Sequence, residues 1–162
     1  MHITMLGEFT GGVFVFTVLI LFTKYKNALI FLIAVLITSL SSQGLKRGFY
    51  KDEKRPSYVY KNLNDIEDLD RHVLFSFPSG HTTAAFTFFS ILAFALVKRR
   101  FQVLAFTLAA AVGVSRVYLG QHYVNDVVAG ASIGLILTAI LYIMANPYLA
   151  KIPWLNKQLS SK

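Results

Sequence analysis

Five long apolar segments, nearly free of charged residues, constrain the fold of this 162-residue chain more than any other feature. A helix that is apolar on all sides either lies in a large core or spans a membrane, and a chain of this size cannot bury five such helices. The chain is therefore predicted to be all-α: a single domain over residues 1–162, forming an integral membrane bundle of five transmembrane helices. The segments lie near Gly12 to Phe22, Leu29 to Leu40, Thr82 to Val97, Phe101 to Val114 and Val127 to Ala145.

The ends of the predicted spans are set by polar residues and prolines. A transmembrane helix needs about 20 residues, and the first segment is the shortest. We expect it to reach membrane length by extending back across Glu8 towards Ile3, or by crossing a thin bilayer with little tilt. Asn146-Pro147 and Pro153 are expected to end the last helix and to leave Trp154 at the membrane interface.

The distribution of the basic residues predicts the orientation of the bundle. Three segments at span ends contain basic residues and no acid: Lys24 and Lys26; Lys98, Arg99 and Arg100; and Lys151, Lys157 and Lys162. Short loops rich in Lys and Arg face the cytoplasm. This places the N-terminus and residues 46–80 and 115–126 on the non-cytoplasmic side. The net charge of +8 therefore reflects membrane anchors, and no nucleic-acid partner is predicted.

Neither cysteine chemistry nor an acidic metal site is predicted. The chain has no cysteine, which excludes disulfides, thiolate ligands and a Cys nucleophile. Ile66 and Leu69 are spaced as on one face of a short amphipathic helix, so the acids around them are expected to face water rather than to bind a divalent cation. We interpret His72 as a surface or structural residue. The acids in question are Asp65, Glu67, Asp68 and Asp70.

Polar residues capable of chemistry fall on the predicted outer side in four groups. Because the third and fourth spans form a hairpin, the start of one and the end of the other emerge on the same face, with the start of the fifth beside them. Charged groups that cluster at a membrane boundary indicate a functional site. Lys46, Arg55 and Arg116 suit phosphate oxygens, although each alone could be a membrane anchor, our interpretation of Arg47, Lys51 and Lys54. The groups are Lys46 with Arg55-Pro56, Pro78-Ser79-Gly80-His81, Ser115-Arg116, and His122 with Asp126.

Two of these groups have specific chemical interpretations. Ser79 and Gly80 precede the third span, where free backbone N–H groups and the Ser79 hydroxyl favour a bound phosphate; the alternative is an ordinary Ser N-cap. His122 and Asp126 are spaced i, i+4, so on a helix the carboxylate could hold one imidazole nitrogen protonated and leave the other free to attack. The alternative is a capping or interfacial contact.

The motifs resemble those of the type 2 phosphatidic acid phosphatase superfamily. Pro78-Ser79-Gly80-His81 is similar to its second signature, and Ser115-Arg116, His122 and Asp126 are similar to its third, both without a gap. Its first signature is a Lys, six residues and then Arg-Pro, whereas eight residues separate Lys46 from Arg55-Pro56. Gly48 stands at the usual lysine position, so Lys46 is chosen, with Arg47 or Lys51 as substitutes. Members usually have six spans, and the first is the one expected to be missing here.

The resemblance implies a metal-independent membrane phosphatase without a cofactor. His122, oriented by Asp126, would attack the phosphorus of a lipid phosphate, and His81 would protonate the leaving oxygen. The phosphate oxygens would be held by Lys46, Arg55, Ser79, Gly80 and Arg116. Candidate substrates are undecaprenyl pyrophosphate, phosphatidylglycerophosphate, phosphatidate and a lipid A phosphate. The expected location is the bacterial inner membrane, with the site facing the periplasm and no obligate protein partner.

Two other functions use the same residues. A non-catalytic protein could bind a lipid headgroup, but simple binding needs neither the acid His81 nor the oriented pair His122 and Asp126. A vanadate-dependent haloperoxidase resembles the superfamily at the same motifs, but such enzymes are soluble and far larger, which does not suit five apolar spans.

Overall fold

The computed structural model describes residues 2–59, 73–96 and 98–159. These residues are helical with connecting turns and contain no β-strand, which confirms the all-α prediction. Short 3-10 helices at His2–Gly7 and Pro153–Asn156 flank the α-helices. The α-helices are α1 at Phe9–Phe22, α2 at Tyr25–Gly48, α3 at Pro56–Val59, α4 at Gly80–Ala95, α5 at Arg99–Tyr118 and α6 at Val124–Leu149.

Helix α4 lies at the centre of the bundle. Ten of its 16 residues are buried, and it packs against α2, α5 and α6. Phe89 and Ile91 are fully buried there, and Val112 of α5 belongs to the same core. The Thr87 hydroxyl donates to the Thr38 hydroxyl of α2 over 3.0 Å, the kind of polar contact that joins helices within a membrane. The residue that begins α4 therefore has a position fixed by three neighbouring helices.

Two glycines of α6 allow it to approach α4 closely. A Cβ atom at Gly130 would lie 2.6 Å from the Ser79 carbonyl oxygen, and one at Gly134 would lie 2.5 Å from the Thr83 carbonyl oxygen. Small residues four apart are the usual means by which helix backbones come into contact in membranes. The Ser79 N–H also donates to the Asp126 carbonyl over 3.0 Å. Together these contacts hold the start of α4 against the start of α6.

Helices α2, α5 and α6 are long and apolar enough to cross a membrane, while α1 and α4 are shorter apolar helices. Their outer faces carry large apolar side chains that have no protein contact to bury them and would face lipid. Four of the apolar segments named above lie within one of these helices, and the third, near Thr82 to Val97, overlaps α4, which ends at Ala95. The number of spans and the orientation stay predictions. The exposed residues include Leu32, Leu36 and Leu40 of α2, and Ile136, Ile140 and Ile143 of α6.

Two of the three basic segments, the turn between α1 and α2 and the residues after α6, lie together at the end of the bundle opposite the start of α4. The Tyr25 N–H donates to the Lys157 carbonyl over 3.2 Å, and the Gln158 side chain donates to the Phe22 carbonyl over 3.0 Å. Residues after α6 therefore pack beside the turn between α1 and α2. The predicted orientation requires these two basic segments to lie on the same side of the membrane, and the orientation itself stays a prediction.

The structure contradicts one of the two alternatives for the first span and places the end of the last helix between the two prolines expected to end it. Helix α1 does not extend across Glu8, because Glu8 has an extended backbone with φ of −112° and ψ of −174° and is the N-cap of α1. Helix α6 does not end at Pro147 but continues to Leu149, because a proline this close to a helix end removes only a hydrogen bond of the last turn. The predicted amphipathic helix around Ile66 and the assignment of His72 lie outside the described residues.

Candidate active site

A cavity of about 400 Å³ lies at the end of the bundle where α4 begins. Lys46 at the end of α2, Arg55 just before α3, and His81 in the first turn of α4 line it, together with His122 just before α6. Both histidines and two of the three predicted cations therefore share one cavity. The elements that carry them are far apart in sequence and meet because α4 packs between α2, α5 and α6.

His122 and Asp126 face each other at the start of α6. The Nδ1 atom of His122 lies 3.4 Å from Oδ2 of Asp126. The same oxygen accepts the Tyr123 backbone N–H over 3.0 Å and the hydroxyl of Ser76, which precedes α4. Asp126 is thus fixed from two sides, and it both caps the helix and faces the imidazole. Sequence reasoning left these two interpretations open, and it missed Ser76.

The surroundings of His122 keep its imidazole neutral. His122 is 2% exposed, and this burial lowers the pKa of His122 to about 4. Asp126 raises that pKa, while the positive charges of Arg55, Lys46 and Arg116 lower it further. Because this pKa is below 7, the uncharged form dominates at neutral pH. A neutral imidazole with its proton on Nδ1, the nitrogen that faces Asp126 across 3.4 Å, has its lone pair on Nε2. Nε2 is then the nitrogen available for nucleophilic attack.

Gln121 holds two of the predicted phosphate-binding cations together. Its Oε1 atom accepts hydrogen bonds from a terminal nitrogen of Arg55 and, over 3.2 Å, from one of Arg116. All three residues are buried. The backbone N–H groups of Gln121 and His122 both donate to the Arg116 carbonyl, over 3.1 and 3.3 Å. One short loop therefore positions both guanidinium groups and His122. Sequence reasoning missed Gln121, although its place directly before His122 was a signal.

Replacing Gln121 by leucine is expected to lower kcat/KM for phosphate release by about 10- to 100-fold, because two buried guanidinium groups lose a shared acceptor. Steady-state kinetics of the purified variant in detergent would measure this loss. Gln121→Glu, which keeps an acceptor oxygen in the same place, is the matched variant and should retain more activity. Equal activity of wild type and Gln121→Leu would contradict the proposed importance of this contact.

Lys46, the lysine chosen from the sequence, faces the candidate site. It is 9% exposed in the last turn of α2 and lines the cavity. Arg47 and Lys51, the two substitutes considered from sequence, are exposed and line a neighbouring groove instead. The unusual spacing to Arg55 is thus compatible with a lysine at the cavity.

Ser79 and Gly80 differ in their surroundings. Ser79 is the N-cap of α4: its hydroxyl accepts the Thr82 N–H over 3.4 Å and shares a 2.9 Å hydrogen bond with the Thr82 hydroxyl. Its side chain is fully buried and does not line the cavity, whereas Gly80 does. The N-cap interpretation therefore describes the Ser79 hydroxyl, and the start of α4 reaches the cavity through Gly80 and His81.

The fold and site together define a membrane-type helical bundle with a histidine–carboxylate pair beside a cationic cavity. The model of the PAP2 superfamily matches residues 27–148, and the chain belongs to this superfamily as an integral membrane protein. It resembles the crystal structure of Aquifex aeolicus LpxE with a TM-score of 0.76 and 27% identity, over 88% of this chain and 82% of that one.

Two curated relatives are similar in sequence. Phosphatidylglycerophosphatase B of Bacillus subtilis is 40% identical over 82 residues, which is 45% of this chain and 40% of that protein. Lipid A 1-phosphatase of Rhizobium etli is 35% identical over 127 residues, which is 75% of this chain and 53% of that protein. The chain thus spans about half the length of the curated relatives it matches.

Proposed function

We propose that this protein is a membrane phosphatase that hydrolyses a phosphomonoester or pyrophosphate of a lipid through a phosphohistidine intermediate. The observation that carries the proposal is that His81, His122, Lys46 and Arg55 line one cavity in a membrane bundle. Two relatives named as phosphatases of phospholipid and lipid A substrates support the same class of reaction.

In the first step, Nε2 of His122 attacks the phosphorus and a phosphorus–nitrogen bond forms. The bond between phosphorus and the lipid oxygen breaks, and the leaving oxygen takes a proton from His81. Lys46, Arg55 and Arg116 stabilise the charge on the equatorial oxygens, and the N–H groups at the start of α4 contribute near Gly80. Ser79 contributes by capping that helix, or directly if its hydroxyl exchanges Thr82 for a phosphate oxygen.

In the second step, water hydrolyses the phosphohistidine. The water oxygen bonds to phosphorus, its proton passes to His81, and the phosphorus–nitrogen bond breaks with its electrons returning to His122. Inorganic phosphate leaves, and both histidines are restored to their starting states. The acid of the first step is thus the base of the second.

The reaction is proposed to need no metal ion, because the protein's own cations supply positive charge to the phosphoryl group. Lys46 and Arg55 line the cavity, and Arg116 is joined to Arg55 through Gln121. Three cations that converge on one phosphoryl group can neutralise the charge that builds on its oxygens.

The proposed substrate class is lipid because a groove of mixed character adjoins the cavity. This groove, of about 790 Å³, shares Lys46 and Arg55 with the cavity. Its other lining residues are Gln43, Arg47, Lys51, Val73, Leu74 and Phe75. Such a surface would suit a lipid: its headgroup would lie near the cations, and the first carbons of its chain would lie on the apolar residues. The charge distribution along the chain supports a site on the non-cytoplasmic side of the membrane. We propose the bacterial inner membrane, with the site facing the periplasm, because of the resemblance to the superfamily.

Phosphate release by the purified protein in detergent tests the proposal. The substrates are undecaprenyl pyrophosphate, phosphatidylglycerophosphate, phosphatidate and a lipid A phosphate. We expect phosphate release from at least one of them. The release should be unchanged by EDTA and inhibited by vanadate, which mimics the phosphoryl group in the transition state. Binding of these lipids without phosphate release would instead favour a headgroup-binding protein, and loss of activity in EDTA would contradict metal independence.

A further inference from the structure

The N-terminal 3-10 helix touches the first turn of α4. A Cβ atom at Gly7 would lie 2.6 Å from the His81 carbonyl oxygen and 3.0 Å from a Val112 methyl group. Only a residue without a side chain allows this approach. The segment that leads into α1 is therefore fixed against the backbone of His81, and the residue after Gly7 has a defined position relative to that histidine.

Glu8, which follows Gly7, places its carboxylate on the His81 side chain. Its Oε1 atom lies 3.1 Å from Nε2 of His81, with 44% of the Glu8 side chain and 31% of the His81 side chain exposed. Both residues line the cavity, and Glu8 is the one acid among the described residues that do so. The extended backbone of Glu8, which ends the 3-10 helix and begins α1, directs the chain towards α4 at this point.

A carboxylate at this position would help the proposed reaction by stabilising the protonated form of His81. His81 must carry two protons to donate one, but burial and the nearby positive charges of Arg116 and Arg55 disfavour an imidazolium. A carboxylate at hydrogen-bonding distance favours it and also fixes the ring. Because Nε2–H donates to Glu8, Nδ1 is the nitrogen that gives its proton to the leaving oxygen and recovers one from water.

We propose that Glu8 is a positioning residue for His81, with a role parallel to that of Asp126 for His122. This inference rests on the proposed function. It assigns to the segment before α1, which contains none of the motifs described above, a part in the departure of the lipid alcohol. Glu8 does not touch the phosphoryl group and acts through His81 alone.

Replacing Glu8 by glutamine tests the inference through the leaving group. With a lipid phosphate, whose alcohol must be protonated to leave, we expect kcat to fall by about 10- to 100-fold, part of the 10²- to 10⁴-fold typical of general acid catalysis. With p-nitrophenyl phosphate, whose leaving group needs little protonation, the rate of the p-nitrophenol burst, which precedes hydrolysis of the phosphohistidine, should fall by less than about 3-fold. Glu8→Asp should recover part of the lost activity. Glu53→Gln, at an exposed acid outside the cavity, should match the wild type on both substrates.

A double variant tests the same inference on the lipid substrate alone. If Glu8 acts only through His81, adding Glu8→Gln to His81→Ala should cause no further loss, because the interaction is already absent. Additive losses, equal losses on both substrates, or no loss in Glu8→Gln would each overturn the inference. These outcomes differ from failure of the proposed function, in which the wild-type protein itself releases no phosphate from any lipid.

Discussion

Replacing His122 by asparagine is expected to reduce phosphate release by about 10⁴-fold or more, the scale of loss seen when an enzyme's covalent nucleophile is removed. Asparagine keeps a polar side chain of similar width but offers no basic nitrogen to attack phosphorus. The result would be measured as release of inorganic phosphate from the best lipid substrate. Rapid quenching of the wild-type protein with a ³²P-labelled substrate should also trap acid-labile label on the protein, and the variant should trap none.

Two controls separate lost chemistry from lost structure. His122 is 2% exposed, so the variant must be shown by thermal unfolding to be folded in detergent. Lys157→Ala changes a basic residue at the opposite end of the bundle and should retain wild-type activity. The contact of Lys157 with Tyr25 uses its backbone carbonyl, which the substitution keeps. A folded His122→Asn protein with activity within tenfold of the wild type would exclude the phosphohistidine mechanism.

Replacing Gly134 by alanine is expected to destabilise the protein by about 3 kcal/mol, the upper part of the range for overpacking in a close-packed interior. The new Cβ would lie 2.5 Å from the Thr83 carbonyl oxygen and 2.9 Å from the Phe86 Cβ. Both obstacles belong to α4 and are backbone or next to it, so neither can rotate away. Helices α4 and α6 would have to separate, and thermal unfolding in detergent should show a clearly lower midpoint.

Gly44→Ala is the matched control for this prediction. Gly44 lies within α2, and a Cβ atom there would meet nothing within 4 Å. Alanine has the higher helix propensity, by about 1 kcal/mol, so this variant should be at least as stable as the wild type. Because α4 carries His81 and α6 begins beside His122, Gly134→Ala should also lower the activity of the protein that remains folded. Equal stability of the two variants would show that α4 and α6 do not need this close contact.

The fold and the principal site residues could be predicted because their signals are local. Each apolar segment indicates a helix without reference to the rest of the chain. The hairpin of α4 and α5 places the start of α4, with His81, and the end of α5, with Arg116, on one side of the bundle. Both histidines line the cavity with Lys46 and Arg55. The roles assigned to these residues remain predictions that the variants above would test.

The residues that hold the site in place could not be predicted in the same way. Gln121 and Arg55 are 66 positions apart, Ser76 and Asp126 are 50 apart, and Glu8 and His81 are 73 apart. A single amide, hydroxyl or carboxylate in a polar segment carries no periodic signal that identifies its partner. Their importance became visible only when the packing brought them against the residues that the motifs had already marked.

The sequence by itself determined that this chain forms apolar helices for a membrane and carries two histidines, cations and a carboxylate at one end of them. Only the tertiary structure decided that α4 is the central helix, that the Ser79 hydroxyl caps it, and that α1 begins directly after Glu8, whose carboxylate contacts His81. The physical reason is that hydropathy and residue spacing are properties of neighbouring residues. Close approach at Gly7, Gly130 and Gly134 depends on which helices pack together, and that packing is a property of the whole chain.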